Sequence, residues 1–167
     1  MSKFPIIVFE GIEGSGKSFH IKNIEKYFKK KKIKYLKLRE PGGSKNSEKI
    51  RNLILNNKSD FNKITDLLLY MAARNENYWA LIKKNNKKKI ILIDRFIDST
   101  VAYQHYGMGI DKGLITRLNK FILNNIRPNF TFVNLVSMKN LKIRLRNRTK
   151  KNRYDNFNIN FYNKVQK

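Results

Sequence analysis

A three-layer α/β domain, with a central parallel sheet covered by helices on both faces, is the fold that the sequence predicts. Three observations carry it. Short apolar runs alternate with longer stretches of helical periodicity, the run "KIILID" is apolar without a break, and a glycine-rich loop joins the first apolar run to the first helix. Strands separated by helices run parallel through right-handed crossovers, and a strand covered on both faces reads as continuously apolar.

The elements follow in order. "PIIVFE" (5–10) reads as a buried strand, and "KSFHIKNIEKYFKK" (17–30) as a helix with Ile21, Ile24 and Phe28 on one face. "IKYLKLRE" (33–40) is a second strand. "EPGGS" (40–44) is a loop, because Pro followed by Gly-Gly continues neither element. "EKIRNLILNN" (48–57) is a short helix, and a long one spans about Asp60 to Asn86. "KIILID" (89–94) is a third strand placed centrally. "DRFIDSTVAYQ" opens another helix, with Asp98 or Ser99 as the capping residue. "KGLITRLNKFILNN" (112–125) is a helix, "NFTFVNLV" (129–136) a fourth strand and "KNLKIRLRNR" (139–148) a helix. Past Thr149 the chain is polar to Asp155, and Phe157, Phe161 and Val165 then recur at helical spacing.

The 167 residues, 41% of them hydrophobic, fit a single globular domain over 1–167, without linker or internal repeat. With no cysteine, disulfides and thiolate metal sites are excluded. No apolar run approaches the ~20 residues that cross a bilayer, and "FPIIVF" is too short for a signal-peptide core. A cytoplasmic location and no membrane partner are expected. The net charge of +25 has two readings. A basic field attracts nucleic acid; but Lys, Asn and Ile are enriched together, as AT-rich coding produces, and we read the charge as compositional rather than as a nucleic-acid partner.

The richest signal is "GIEGSGKS". Gly11, then Ile12, Glu13, Gly14 and Ser15, then Gly16, Lys17 and Ser18 complete G-x-x-x-x-G-K-[ST] between a strand and a helix. Such a loop turns its backbone N–H groups around phosphate oxygens, and the helix N-terminus adds partial positive charge. Lys17 reaches the β- and γ-phosphates and the Ser18 hydroxyl a Mg²⁺ ion, so the ligand is a nucleoside triphosphate. A guanine-reading N-K-x-D is missing from the expected place, since "NKITD" (62–66) has the wrong spacing. The third strand ends in Asp94 followed by Arg95. An acid that organises Mg²⁺, in part through water, beside a cation suits a site for two phosphorylated molecules and favours a small-molecule kinase.

The acceptor side is sketched by three clusters. Tyr70 and Arg74 in "LLLYMAAR" share a helical face, as do Ser99 with Tyr103 and Thr100 with Gln104 beyond the third strand; Arg39 ends the second. An aromatic plane beside a guanidinium suits a heterocyclic base. Helix periodicity alone accommodates Tyr70 in a core stripe and Arg74 in solvent, and both readings stand at this point.

"FEGIEGSGKS", "REPGG", "YMAAR", "DRFIDSTVAYQ" and "GID", in this order, resemble the bacterial thymidylate kinases from Met1 to about Asp155. The resemblance implies a P-loop NTPase fold and the reaction of ATP with dTMP, Mg²⁺ assisting, to give ADP and dTDP. It implies that Glu13 faces the deoxyribose 3′-hydroxyl and Tyr70 stacks on the base. Arg74 then reads a thymine carbonyl, Thr100 and Gln104 meet the base edge, and Tyr103 leaves no room for a 2′-hydroxyl. Arg95 holds the acceptor phosphate with Ser99 nearby, helped by Arg39. The acceptor, a phosphate monoester with a second pKa of about 6, is already mostly dianionic near neutral pH. No general base is needed, and neither His20 nor His105 is assigned one.

Because position 14 is glycine, the resemblance places the catalytic arginine in a basic, mobile lid, here "RNRTKKNRYD" (146–155), with Arg153 first and Arg148 second, and Asp155 at the metal or sugar. The family continues into a fifth strand and a last helix, which this chain is expected to lack, and it forms homodimers, for which the "LLLYMAA" helix offers an apolar surface. Two rival readings remain here: a P-loop nucleoside or nucleotide kinase with another acceptor, and a non-catalytic basic P-loop protein that binds nucleic acid.

Overall fold

The computed structural model of the protein describes residues 4–167. Four strands, β1 (Ile6–Glu10), β2 (Tyr35–Arg39), β3 (Ile90–Asp94) and β4 (Phe130–Val133), form one parallel sheet in the order β2-β3-β1-β4. The register sets Phe9 and Arg39 both opposite Asp94, so the carboxyl ends of β1, β2 and β3 finish level with one another. That alignment makes the crevice in which an open α/β sheet binds ligands.

Side chains alternate across the sheet with period two. Val8, Ile91 and Ile93 pack on one face with Tyr78, Ile82 and Leu123, while Phe9 and Leu92 pack on the other against Ile21 and Phe28 of α1 (Lys17–Lys30). As expected, β3 is central, and its middle residues are fully buried. β4 is shorter than the predicted 129–136, and its four residues are exposed. It has one neighbour only, so half of its ladder has no partner in the sheet to extend it, though Phe132 stacks on Phe9 with ring centroids 5.4 Å apart.

Caps account for the helix boundaries that differ from expectation. α2 (Lys45–Leu55) starts three residues early because the Ser44 side chain accepts the Ser47 N–H. The rod predicted over 60–86 begins at Asn62, whose side-chain oxygen accepts the Ile64 and Thr65 N–H groups and caps α3 (Lys63–Asn77). It widens into a π-helical stretch at Tyr78–Ile82 and ends in α4 (Lys83–Asn85). α5 (Ile97–Thr100) likewise runs on through a π-helical stretch to Gly107. Contrary to expectation, neither Asp98 nor Ser99 caps it. They lie inside the first turn, and the buried carboxylate of Glu10, from the tip of β1, accepts the Phe96 N–H at 2.8 Å and the Ser99 N–H at 3.2 Å instead.

The remaining helices are α6 (Lys112–Leu123), α7 (Met138–Arg146) and α8 (Ile159–Gln166). α8 realises the helical spacing of the tail from Phe161 onward, while Phe157 sits in the approach to it. It packs on the stretch ending at Gly107, where an added Cβ would stand 2.6 Å from the Phe161 ring; glycine permits the close approach. No helix among the described residues is long and apolar enough to cross a membrane.

Candidate active site

A cleft of about 430 Å³ opens at the strand tips, between the glycine loop, α2, α3, the 97–107 helix and α7. Gly14, Lys17, Ser18, Asp94 and Arg148 line one part of it, and Tyr70, Arg74, Thr100, Tyr103 and Gln104 another. The residues predicted for the acceptor side therefore share one cavity with Lys17, Ser18, Asp94 and Arg148.

The glycine loop is held by contacts that other residues would break. A Cβ on Gly11 would lie 2.4 Å from the Asn134 carbonyl oxygen, and the backbone there has φ of 139°, which side chains rarely adopt. No side chain caps the N-terminus of α1, which leaves that end to a ligand or solvent. Lys17 is buried and folded back onto the loop: its ammonium donates to the carbonyl oxygens of Gly11 at 2.8 Å and Ile12 at 3.0 Å. Burial, then the nearby Arg95, lowers its pKa to about 8.

Glu13 turns away from the main-chain cradle and into the acceptor half of the cleft. Its carboxylate accepts from Arg95 at 2.9 Å and from the Tyr103 hydroxyl. Burial would raise its pKa, but Arg95 and the Tyr103 hydrogen bond outweigh it and hold the carboxyl below the usual range. Arg95 has φ of 67°, a left-handed conformation that an ordinary side chain occupies only where its surroundings compel it. Its N–H donates to Phe9 at 2.9 Å, one guanidinium nitrogen donates to Ser99 at 3.3 Å, and the guanidinium lies over the Tyr103 ring. Ser99 in turn donates to Glu10. The carboxylate that caps the helix thus also fixes the hydroxyl beside Arg95.

Arg74 is not solvated. It is 2% exposed, donating to Glu40 at 2.7 Å, Asn119 at 2.5 Å, Phe96 at 2.9 Å and Thr100 at 3.0 Å. Four of its five N–H donors are committed. Glu40 begins the loop predicted at 40–44, which Asn77 holds by donating to Gly42 at 2.6 Å and accepting from Ser44 at 2.9 Å. Tyr70 stands half-buried at the cleft, edge-on to Tyr154. Gln104 is fully buried, and its carbonyl oxygen has no hydrogen-bond partner.

The lid prediction needs correction. Residues 147–151 are an exposed loop, but the segment after them is anchored: Asn152 and Asp155 form a reciprocal cap, and Tyr154 is buried. Arg153, the first choice for the catalytic arginine, lies outside the cleft lining and is ion-paired to buried Asp66 in the first turn of α3. Asp155 is spent on the cap and on Arg148 at 2.5 Å, which leaves it no metal or sugar role here. Arg148 does line the cleft, as does Arg144, which donates to the Gly14 carbonyl. Arg144 went unnoticed in the sequence, although α7 runs directly into the lid. Arg51 was also missed. It lines the cleft from α2 and donates to the Pro41 carbonyl at 2.6 Å; Arg39 lines the cleft too, as an exposed residue paired with Glu48 at 2.9 Å. The helical phase of α2 was the available signal, since one turn from Glu48 brings Arg51 to the same face. His20 is exposed, and His105 contacts the Ile110 carbonyl.

Comparison with known proteins shows what the chain resembles as a whole. The family model for thymidylate kinase matches residues 9–167. A thymidylate kinase of Kosmotoga olearia is 36% identical over 161 residues, covering 96% of this chain and 77% of its own length. That of Wolbachia pipientis is 40% identical over 164 residues, covering 96% and 81%. The crystal structure of the Ehrlichia chaffeensis enzyme superimposes with a TM-score of 0.78 at 33% identity, over 99% of this chain and 79% of its own.

Proposed function

The chain belongs to the thymidylate kinase family, which transfers a phosphoryl group from ATP to dTMP to give ADP and dTDP, and on that premise we propose the part each residue plays. Main-chain N–H groups of Gly11, Ile12, Glu13, Gly14, Ser15 and Gly16, with the start of α1, take the triphosphate of ATP. Lys17 exchanges its carbonyl partners for the β- and γ-phosphates. Ser18 and Asp94 line the same cleft and supply a hydroxyl and a carboxylate oxygen, the hard donors that suit Mg²⁺. No group of three acidic or histidine residues gathers among the described residues, so an ion there draws its other ligands from phosphates and water. Bound Mg²⁺ supplies positive charge to the transferring phosphoryl group.

Opposite, the pyrimidine stacks on Tyr70. Arg74 offers it the remaining N–H, and Gln104 its unpaired carbonyl, while Thr100 holds Arg74 in place. Glu13 and Tyr103 meet the deoxyribose, and Tyr103 closes the space that a 2′-hydroxyl would need. Arg95, oriented through Ser99, holds the acceptor phosphate with Arg51 at the rim, and Arg39 plays the smaller part. The acceptor oxygen attacks the γ-phosphorus in line as the bond to the β–γ bridging oxygen breaks. Arg148 and Arg144, beside the glycine loop, stabilise the charge that develops. The enzyme acts in the cytoplasm as a homodimer, for which exposed Ile64 and Leu68 on α3 and Phe121 on α6 supply apolar surface.

The observation that carries this reading is the Glu13–Arg95–Tyr103 cluster, because it joins the phosphate loop to the acceptor pocket through one carboxylate. Coupled-assay turnover with dTMP, dUMP, dCMP and AMP tests it. dTMP is expected to have the highest kcat/KM, and a better acceptor among the other three overturns the assignment.

A further inference from the structure

Gln104 lines the cleft, and the two ends of its side-chain amide differ: the oxygen is buried without a partner, whereas the nitrogen is committed. Its amide nitrogen points at the Asp66 carboxylate, 3.3 Å away, and at the Tyr154 hydroxyl oxygen, 3.5 Å away. The single hydroxyl hydrogen of Tyr154 is donated to Asp66, at 2.5 Å, so its oxygen can only accept from Gln104. Burial and then the Tyr70 and Asp66 neighbours push the Tyr154 phenol well up, which keeps that proton in place. Asp66 is 1% exposed and is not part of the cleft lining. Its other oxygen accepts a hydrogen bond from Arg153. A carboxylate is an acceptor only, so the polarity of the whole network follows from Asp66. Turning the Gln104 amide over would set its carbonyl against two oxygens.

We infer that Asp66 is the residue that positions Gln104 for base selection, by holding its amide so that only a carbonyl oxygen faces the pyrimidine. A bare acceptor demands a donor. The 3-position of thymine carries an N–H and satisfies it, whereas the same position of cytosine carries a lone pair and leaves two acceptors in contact. A site built to pair a buried polar group rejects a ligand that leaves it unpaired by a large factor. Discrimination at the base edge thus originates one layer behind the residue that touches it. The inference rests on dTMP occupying the cleft.

The test compares kcat/KM for dTMP and 5-methyl-dCMP, which differ only at positions 3 and 4 of the ring, in wild type, D66N and R153A. Asparagine can offer Gln104 either a donor or an acceptor, so D66N is expected to reduce the dTMP preference at least tenfold, mainly by raising activity on 5-methyl-dCMP. R153A, which removes the ion pair but keeps the carboxylate, is expected to hold the wild-type ratio whatever it does to the rate. Equal losses on both substrates in D66N would overturn the inference, as would an unchanged ratio. Should D66N fail to fold, neutron diffraction from the wild-type complex with dTMP decides instead: deuterons of the Gln104 amide on Asp66 support the inference, and deuterons on the pyrimidine overturn it. A wild-type enzyme that favours 5-methyl-dCMP would defeat the substrate assignment, a separate result.

Discussion

The two ends of the cleft are built on different principles. The donor end is main chain: one continuous octapeptide, Gly11 to Ser18, whose only buried cation rests on its own carbonyl groups. The acceptor end is side chain: Glu13, Arg95, Ser99 and Tyr103 on one side and Glu40, Arg74, Asn119 and Thr100 on the other, paired before any ligand arrives. A backbone site binds whatever presents phosphates, whereas prepaired side chains prescribe the shape and polarity of what they admit. Mutations should therefore act differently at the two ends.

The largest effect belongs to Arg95. In R95A, kcat/KM for dTMP should fall by about 10³-fold or more, if Arg95 positions the acceptor phosphate for in-line attack as proposed. The affinity of a non-hydrolysable ATP analogue should stay within about threefold, because the loop's amides are untouched. A parallel loss of analogue binding would merge the two ends into one.

Arg74 comes next, and it separates them by stability. R74A leaves Glu40 buried without its counter-charge, a loss of about 3–5 kcal/mol by urea unfolding. K17M removes a buried cation from the donor end and should be neutral or stabilising, although it abolishes turnover. Burial is the main reason that Lys17 titrates at about 8 rather than at the ordinary 10.5, so the folded state binds its proton more weakly than the unfolded chain does. The contribution of this group to stability should rise between those two pH values and be flat below them.

The same group predicts a smaller, tenfold effect. Above pH 8 the free enzyme must recover a proton on Lys17 before it can pair with the triphosphate. The dissociation constant of the ATP analogue, measured by calorimetry, should then rise by up to about tenfold per pH unit. K17M should show no such rise.

The contrast also explains what could be read in the sequence. The glycine loop was legible as a motif, because its eight residues are consecutive in the chain. The strands were legible from their apolar runs, and β4 was overextended because edge position depends on neighbours that the run does not reveal. The acceptor residues were recognisable as a set, but not their partnerships. Arg74 meets Asn119 across 45 positions, and Glu10 caps a helix 89 residues away. Arg153 went astray for the same reason, since nothing near it in the chain announces Asp66, 87 residues earlier.

The smallest effect tests the rim, where Arg39 and Arg51 stand on neighbouring elements. Arg39 is 52% exposed, and its partner Glu48 also accepts the Gly43 N–H at 2.7 Å. Removing Arg39 therefore strands no buried charge, and R39A should cost about 0–1 kcal/mol, as exposed pairs do. Arg51 is half-buried with its guanidinium at the cleft, and burial first, then repulsion from Arg39, lowers its pKa. An anion entering between the two relieves that repulsion, and the better-buried partner gains more, because solvent screens it less. R51A should accordingly raise KM for dTMP about tenfold and R39A no more than about threefold, the latter fading as salt is added. The opposite ranking would move the acceptor phosphate outward onto β2 and require the prepaired end of the cleft to be redrawn around Arg39.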